Sequence, residues 1–246
     1  MGKKFWVFPI EPDMADGVRE IAVSLQQDDI GSSDLDSLRR RLVRSLNQII
    51  DAGFEFYYQR PAEYSSLNAV VQGAIQSIIY TIRQSIHMVV QRVFKSMSLE
   101  DLRAMANYLD SMVLPPRDQG QPALLAHPLG DSLSRRIDEL MDTIRNSDSV
   151  SEYDGELYRT FAEVVEVSVR FYYREPTNMV SLNPIAKKAA DLGINTTISG
   201  VKKILKRVVR EVKHEEVSVL PDNIDFLVEE RDLDYRVCDP EFIETK

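Results

Sequence analysis

Few side chains in this sequence combine the type and spacing that chemistry requires. Histidines stand at 87, 127 and 214, and one cysteine stands at 238. The histidines lack the short spacing that places two imidazoles on one helix face around a metal. A lone cysteine makes neither an intrachain disulfide nor a thiolate cluster. No metal site and no cofactor is expected. Carboxylates occur as adjacent pairs, Asp28-Asp29, Glu215-Glu216 and Glu229-Glu230. On a helix, neighbours diverge by about 100°, so such pairs do not share a reacting proton. There is no phosphate-binding glycine loop, no nucleophile elbow and no HExxH. No catalytic set is assembled. His87 falls off the apolar seam of its helix, His127 lies in a proline-rich stretch and His214 follows a basic run, so all three read as surface residues.

Two groupings remain. Lys202, Lys203, Lys206, Arg207, Arg210 and Lys213 fall on one helical arc of roughly 140°. Val201, Ile204, Leu205, Val208, Val209 and Val212 fall opposite. A basic amphipathic helix suits an acidic protein surface, anionic lipid or nucleic acid; its plainer reading is a solvated face. The second grouping is aromatic and cationic: Tyr57 and Tyr58 with nearby Arg60, and Tyr172 and Tyr173 with nearby Arg174. These six could line a pocket, although helix capping and packing explain them as well.

Helices must position both groupings. The intervals 13–60, 62–114, 129–175 and 185–220 contain no proline, and an interior proline costs a helix about 3 kcal/mol. Leu35, Leu38, Leu42, Leu46 and Ile49 recur at steps of three and four, as do Val71, Ile75, Ile78, Ile82, Ile86, Val89 and Val93. That is the helical period. Ser98-Leu-Glu-Asp101 has the form of a capping box. Val165, Val167, Val169 and Phe171 alternate like a strand, but the matching segment around Leu46 is helical, and helix is expected in both.

The match arises because the chain repeats itself. A shift of 115 residues lays Phe56-Tyr57-Tyr58-x-x-Pro61 on Phe171-Tyr172-Tyr173-x-x-Pro176, and Ser66-Leu67-Asn68 on Ser181-Leu182-Asn183. From Leu42/Leu157 to Val113/Val228 the register holds without a gap and contains 17 identities, where chance gives about 4 or 5. The fold expected is all-α: two tandem four-helix repeats packed about a pseudo-two-fold axis. Residues 14–113 and 131–228 form the repeats. Residues 1–13 are an N-terminal extension, 114–130 a Pro/Gly-rich linker and 229–246 an acidic C-terminal tail. The expected helices run roughly 14–27, 34–59, 69–97 and 99–113, then 131–146, 152–174, 184–213 and 221–230. Gly193, Asn195 and Gly200 are candidates for a kink in the seventh of these.

Charge and composition narrow the function. Thirty basic against 39 acidic residues give a net charge of −9, which argues against a protein coated in nucleic acid while allowing a local basic patch. Residues 215–246 carry a net −8, enough to fold back on the basic helix. The apolar run Phe5–Ile10 is too short for a signal peptide, and no stretch is long and apolar enough to span a membrane, so a cytoplasmic location is expected. The leading expectation is a non-enzymatic binding protein whose partner is another protein, with anionic lipid or nucleic acid as further candidates for the 202–213 face. Alternatives are a carrier of a small apolar ligand or lipid between the repeats, and an enzyme with a family-specific Tyr/Arg/Glu site.

Overall fold

The computed structural model describes residues 4–59, 69–116, 121–182, 184–218 and 227–229. The chain opens with strand β1 (Lys4–Ile10). Helices α1 (Pro12–Leu25) and α2 (Ser32–Phe54) follow, and α2 continues as a π-helical turn, Glu55–Gln59. Next come α3 (Ala69–Lys95), α4 (Leu99–Ser111), strand β2 (Val113–Leu114) and strand β3 (Ala123–Pro128). Helices α5 (Asp131–Asn146) and α6 (Asp154–Val169) follow, and α6 also ends in a π-helical turn, Arg170–Arg174. The short α7 (Glu175–Met179), the long α8 (Pro184–Glu211), the single turn α9 (His214–Val217) and strand β4 (Leu227–Glu229) complete the order. The acidic tail expected beyond residue 229 lies outside the described residues.

The protein is mostly helical, but the expectation of an all-α fold is corrected by a four-stranded sheet in the order β2-β3-β1-β4. Its centre is the antiparallel pair β1 and β3, with Val7 opposite Ala126. The strands lie in the segments read from sequence as an extension and a linker. Two physical facts hid them. In β1, Phe5, Trp6, Val7, Phe8 and Ile10 are all buried, so both faces are covered and no polar alternation marks the strand. The prolines at 115, 116 and 122 stand at strand ends, where they remove no ladder bond, rather than inside a loose linker. Gly130, at φ +77°, makes the tight turn from β3 into α5. Residues 227–229, expected inside a final helix, pair instead with β1, Val228 opposite Phe5.

The helical expectation for 161–173 holds: α6 and its π turn cover it. The misleading valine alternation has a packing cause. Val164 and Val167 pack with α5, while Val165 packs with Ile204 and its neighbours on α8. A helix buried on two sides loses the single apolar stripe. At the start of α4, Ser98 and Asp101 form the capping box, with the Asp101 amide donating to Ser98 Oγ at 3.1 Å and the Ser98 amide to Asp101 Oδ2 at 3.0 Å. Asp101 also accepts from the Ser181 amide at 2.9 Å. Burial pushes this carboxyl's pKa up, but the hydrogen bonds from Ser181 and Ser98 outweigh it and hold the pKa below its ordinary value.

Helices α3 and α8 lie antiparallel, and the glycines expected to kink α8 form the seam between them. A Cβ on Gly193 would stand 2.8 Å from Val89 Cγ2, and one on Gly200 would stand 2.7 Å from Ile82 Cδ1. Valine has little χ1 freedom in a helix, whereas Ile82 Cδ1 is the tip of a flexible side chain. Gly193→Val is therefore expected to cost about 1–3 kcal/mol through overpacking, more than Gly200→Ala, whose clash is offset by better helix propensity. Thermal or urea unfolding checks the order, and Val89→Ala should partly rescue Gly193→Val.

Candidate functional site

The basic helix meets one residue of the second grouping, Arg174. A groove of about 480 Å³ between α6 and α8 is lined by Arg174, Lys202, Lys203 and Lys206, with Glu166 as its one carboxylate and Tyr158 and Ile198 as apolar wall. The periodicity of α8 sets this arrangement. Val201 and Ile204 turn inward and are buried, which leaves Lys203 and Lys206 exposed. Arg174 arrives from the π turn at the end of α6.

The cations are not equivalent. Lys202 Nζ donates to Glu166 Oε1 at 2.6 Å, and Arg174 stands 3.9 Å from Glu166 Oε2. Arg207 pairs with Glu211 on its own helix at 3.6 Å. Lys203, Lys206 and Arg210 have no carboxylate within 4.0 Å among the described residues. Lys213 lies beyond the end of α8, where its backbone amide donates to Glu216 Oε2 at 3.0 Å. The expected arc of six cations is thus five on the helix, two of them, Lys202 and Arg207, in ion pairs.

A counterpart of the Glu166–Lys202 pair lies 115 residues earlier. Asp51 Oδ1 stands 2.7 Å from Arg83 Nη2 and 3.1 Å from His87 Nε2. In both places a carboxylate on one helix of a pair holds a base on its neighbour. The like-for-like match of Asp51 with Glu166 and the match of His87 with Lys202 were visible in sequence, but only the packing of α2 on α3 and of α6 on α8 brings them together.

The aromatic residues are packed on one another. Tyr57 stacks on Trp6 with ring centres 5.2 Å apart, and its hydroxyl donates to the Val7 carbonyl at 2.6 Å. Phe8 touches Tyr57 and Tyr172 edge-on at 5.5 and 6.4 Å. Tyr173 turns away and donates to Asp191 at 2.9 Å. Burial, and then its bond to Asp191, raises the Tyr173 pKa. Arg60, Asn68 and Asn183 lie outside the described residues, as does the side chain of Tyr58. Among the suggested pocket residues whose side chains are described, Arg174 alone lines the groove.

His127 departs most from its sequence reading. It is fully buried on β3 and sits between Phe171, stacked at 5.2 Å, and the edge of Tyr172. Its Nε2 is 3.0 Å from Ser168 Oγ, and its Nδ1 is 3.4 Å from the Pro128 carbonyl. Burial lowers its pKa to about 4, against a smaller upward pull from the Pro128 carbonyl. The imidazole is therefore neutral at physiological pH and sealed from solvent. His214 Nδ1 shares a hydrogen bond with Tyr153 Oη at 3.0 Å. Among the described residues no three His, Cys, Asp or Glu side chains gather as a metal site. No protein-family model matches the chain, and no curated protein or solved structure matches it.

The buried histidine gives stability a defined pH dependence. The unfolded chain binds a proton at His127 below about pH 6.5, and the folded chain does not until about pH 4. The contribution is complete above pH 6.5 and is lost as pH falls toward 4, by about 3 kcal/mol in total. Chemical denaturation across that window should show stability rising with pH. His127→Gln, which keeps a donor or acceptor for Ser168, should flatten this slope whatever its effect at neutral pH.

Proposed function

We propose that this chain is a cytoplasmic, non-enzymatic binding protein that holds an acidic segment of another protein in the groove between α6 and α8. One observation carries the reading: Arg174, Lys203 and Lys206 converge on a groove with a single carboxylate among its described lining residues, in a chain whose net charge is −9. Lys203 and Lys206 have no described ion-pair partner, so their charge is available to a ligand. Convergent exposed cations steer an acidic partner and set its register. The alternative of an apolar-ligand carrier is less supported, because Tyr57 and Tyr172 are packed on Trp6, Phe8 and His127.

We further infer that residues 14–113 and 131–228 are two copies of one unit related by a pseudo-two-fold axis. Support comes from the two π turns, 115 residues apart, and from the long helices α3 and α8, whose starts are also 115 apart. On this reading the second copy gained cations where the first has Met88 and Gln91.

Polyglutamate, used as a minimal acidic partner, tests the groove. Binding should weaken steeply between low and physiological salt. Lys203→Glu with Lys206→Glu should abolish it while changing stability by only about 0.5 kcal/mol. Lys202→Ala should behave differently, lowering stability by up to about 1 kcal/mol because it leaves Glu166 with only the more distant Arg174. Unchanged polyglutamate binding by the double reversal would refute the groove as the site.

A further inference from the structure

The outer face of α3 and α8 carries a second kind of information, which does not depend on the groove reading. Helix α3 has no acidic residue in 27 positions. Together α3 and α8 hold ten cations and two acids, a net of +8 in a chain of net −9. The same pair carries four of the seven large apolar residues exposed among the described ones: Val70, Tyr80, Met88 and Leu192, each at least 64% exposed. Elsewhere such residues are scattered singly, as most proteins have them.

Their placement follows from the seam. Gly193 lies against Val89, so Met88 and Leu192 stand at the same level on adjacent helices. On α8, Lys188, Leu192, Lys203, Lys206 and Arg210 share an arc of about 60° directed away from the buried Ala190, Val201 and Ile204. Exposed positions between them are uncharged, among them Ser77, Gln84, Thr196 and Ser199. Glycines at the seam bring the helices close, so α3 and α8 present a continuous face about 40 Å long, whose α8 edge borders the groove. Cationic and studded with a few apolar side chains, it has the composition of a surface that lies on lipid. None of the described helices is long and apolar enough to cross a membrane.

We propose that the α3–α8 face docks the protein on an anionic bilayer, with Met88 and Leu192 entering the headgroup region and Lys203, Lys206 and Arg210 meeting lipid phosphates and carboxylates. An acidic protein surface is the competing occupant, and charge alone would suit it. The apolar residues among the cations decide for lipid.

Flotation of the full chain with vesicles tests this, using phosphatidylcholine with and without phosphatidylglycerol. The chain should bind the mixed vesicles at low salt and leave pure phosphatidylcholine unbound. Met88→Ser with Leu192→Ser, which removes the apolar side chains without changing the charge, should weaken vesicle binding about tenfold or more and leave polyglutamate binding unchanged, since neither residue lines the groove. Met88→Trp gives a second readout: the indole introduced there should be quenched by brominated lipid, while wild type, whose one tryptophan is the buried Trp6, serves as the control. The proposal is overturned if the wild-type chain ignores anionic vesicles or if the double variant binds them as well as wild type. It is also overturned if Met88→Trp is quenched no more than wild type while vesicles are bound. Polyglutamate binding without vesicle binding would assign the face to an acidic protein. Vesicle binding without polyglutamate binding would remove the groove reading and keep this one.

Discussion

Val7 opposite Ala126 is the contact on which the rest of this structure depends. Strands β1 and β3 come from the two ends of the first 128 residues, and each is flanked by a strand from the other half of the chain. β2, which closes the first half, lies on β3; β4, which closes the second, lies on β1. Neither half could therefore build the sheet alone. Separating them would strip backbone groups from β1 and β3 and expose Trp6, Val7, Leu125 and Ala126, all buried. Such losses are costly because buried backbone groups need partners and aromatic side chains bury large areas.

The central pair also fixes the helices. Tyr57 reaches from the π turn after α2 to the Val7 carbonyl, and Phe171 in the equivalent turn after α6 stacks on His127 of β3. Tyr108 of α4 donates to the Phe171 carbonyl at 2.8 Å. With α2 and α6 held in this way, α3 and α8 fill the space between them, joined by the glycine seam and by the Asp51 and Glu166 ion pairs. What function has to work with is the remainder: cations that no described carboxylate has taken, on a helix whose other side is committed to the core.

Much of the helical framework was legible in sequence, because local signals and tertiary structure agree there. The three- and four-residue spacing from Leu35 to Val93 marked α2 and α3, Ser98 and Asp101 marked a helix start, and the 115-residue shift matched the two π turns. The sheet was not legible. Its strands are short, covered on both faces and bounded by prolines, so β1 imitated a truncated signal sequence and β3 a linker. His127 was misplaced for the same reason: its burial is a property of the sheet, and nothing near it in sequence announces a fully buried side chain. The basic stripe is legible by periodicity, but the pairing of Lys202, in contrast to Lys203 and Lys206, which have no carboxylate partner among the described residues, depends on Glu166, 36 residues away from Lys202. The seam formed by the α8 glycines is not legible in sequence, since a glycine that bends a helix and one that admits a neighbouring helix look identical in one dimension.

Native-state amide hydrogen exchange tests most directly whether one sheet locks both halves into a single cooperative unit. The Ala126 amide donates to the Met112 carbonyl and the Leu129 amide to the Lys4 carbonyl, each at 2.9 Å. Both bonds join the two halves. If the halves are one unit, these amides exchange only through global unfolding, with the same free energy and denaturant dependence as core amides of α1 and α5. Exchange of Ala126 and Leu129 at lower free energy than those helices, with α1 and α5 opening independently, would contradict that coupling.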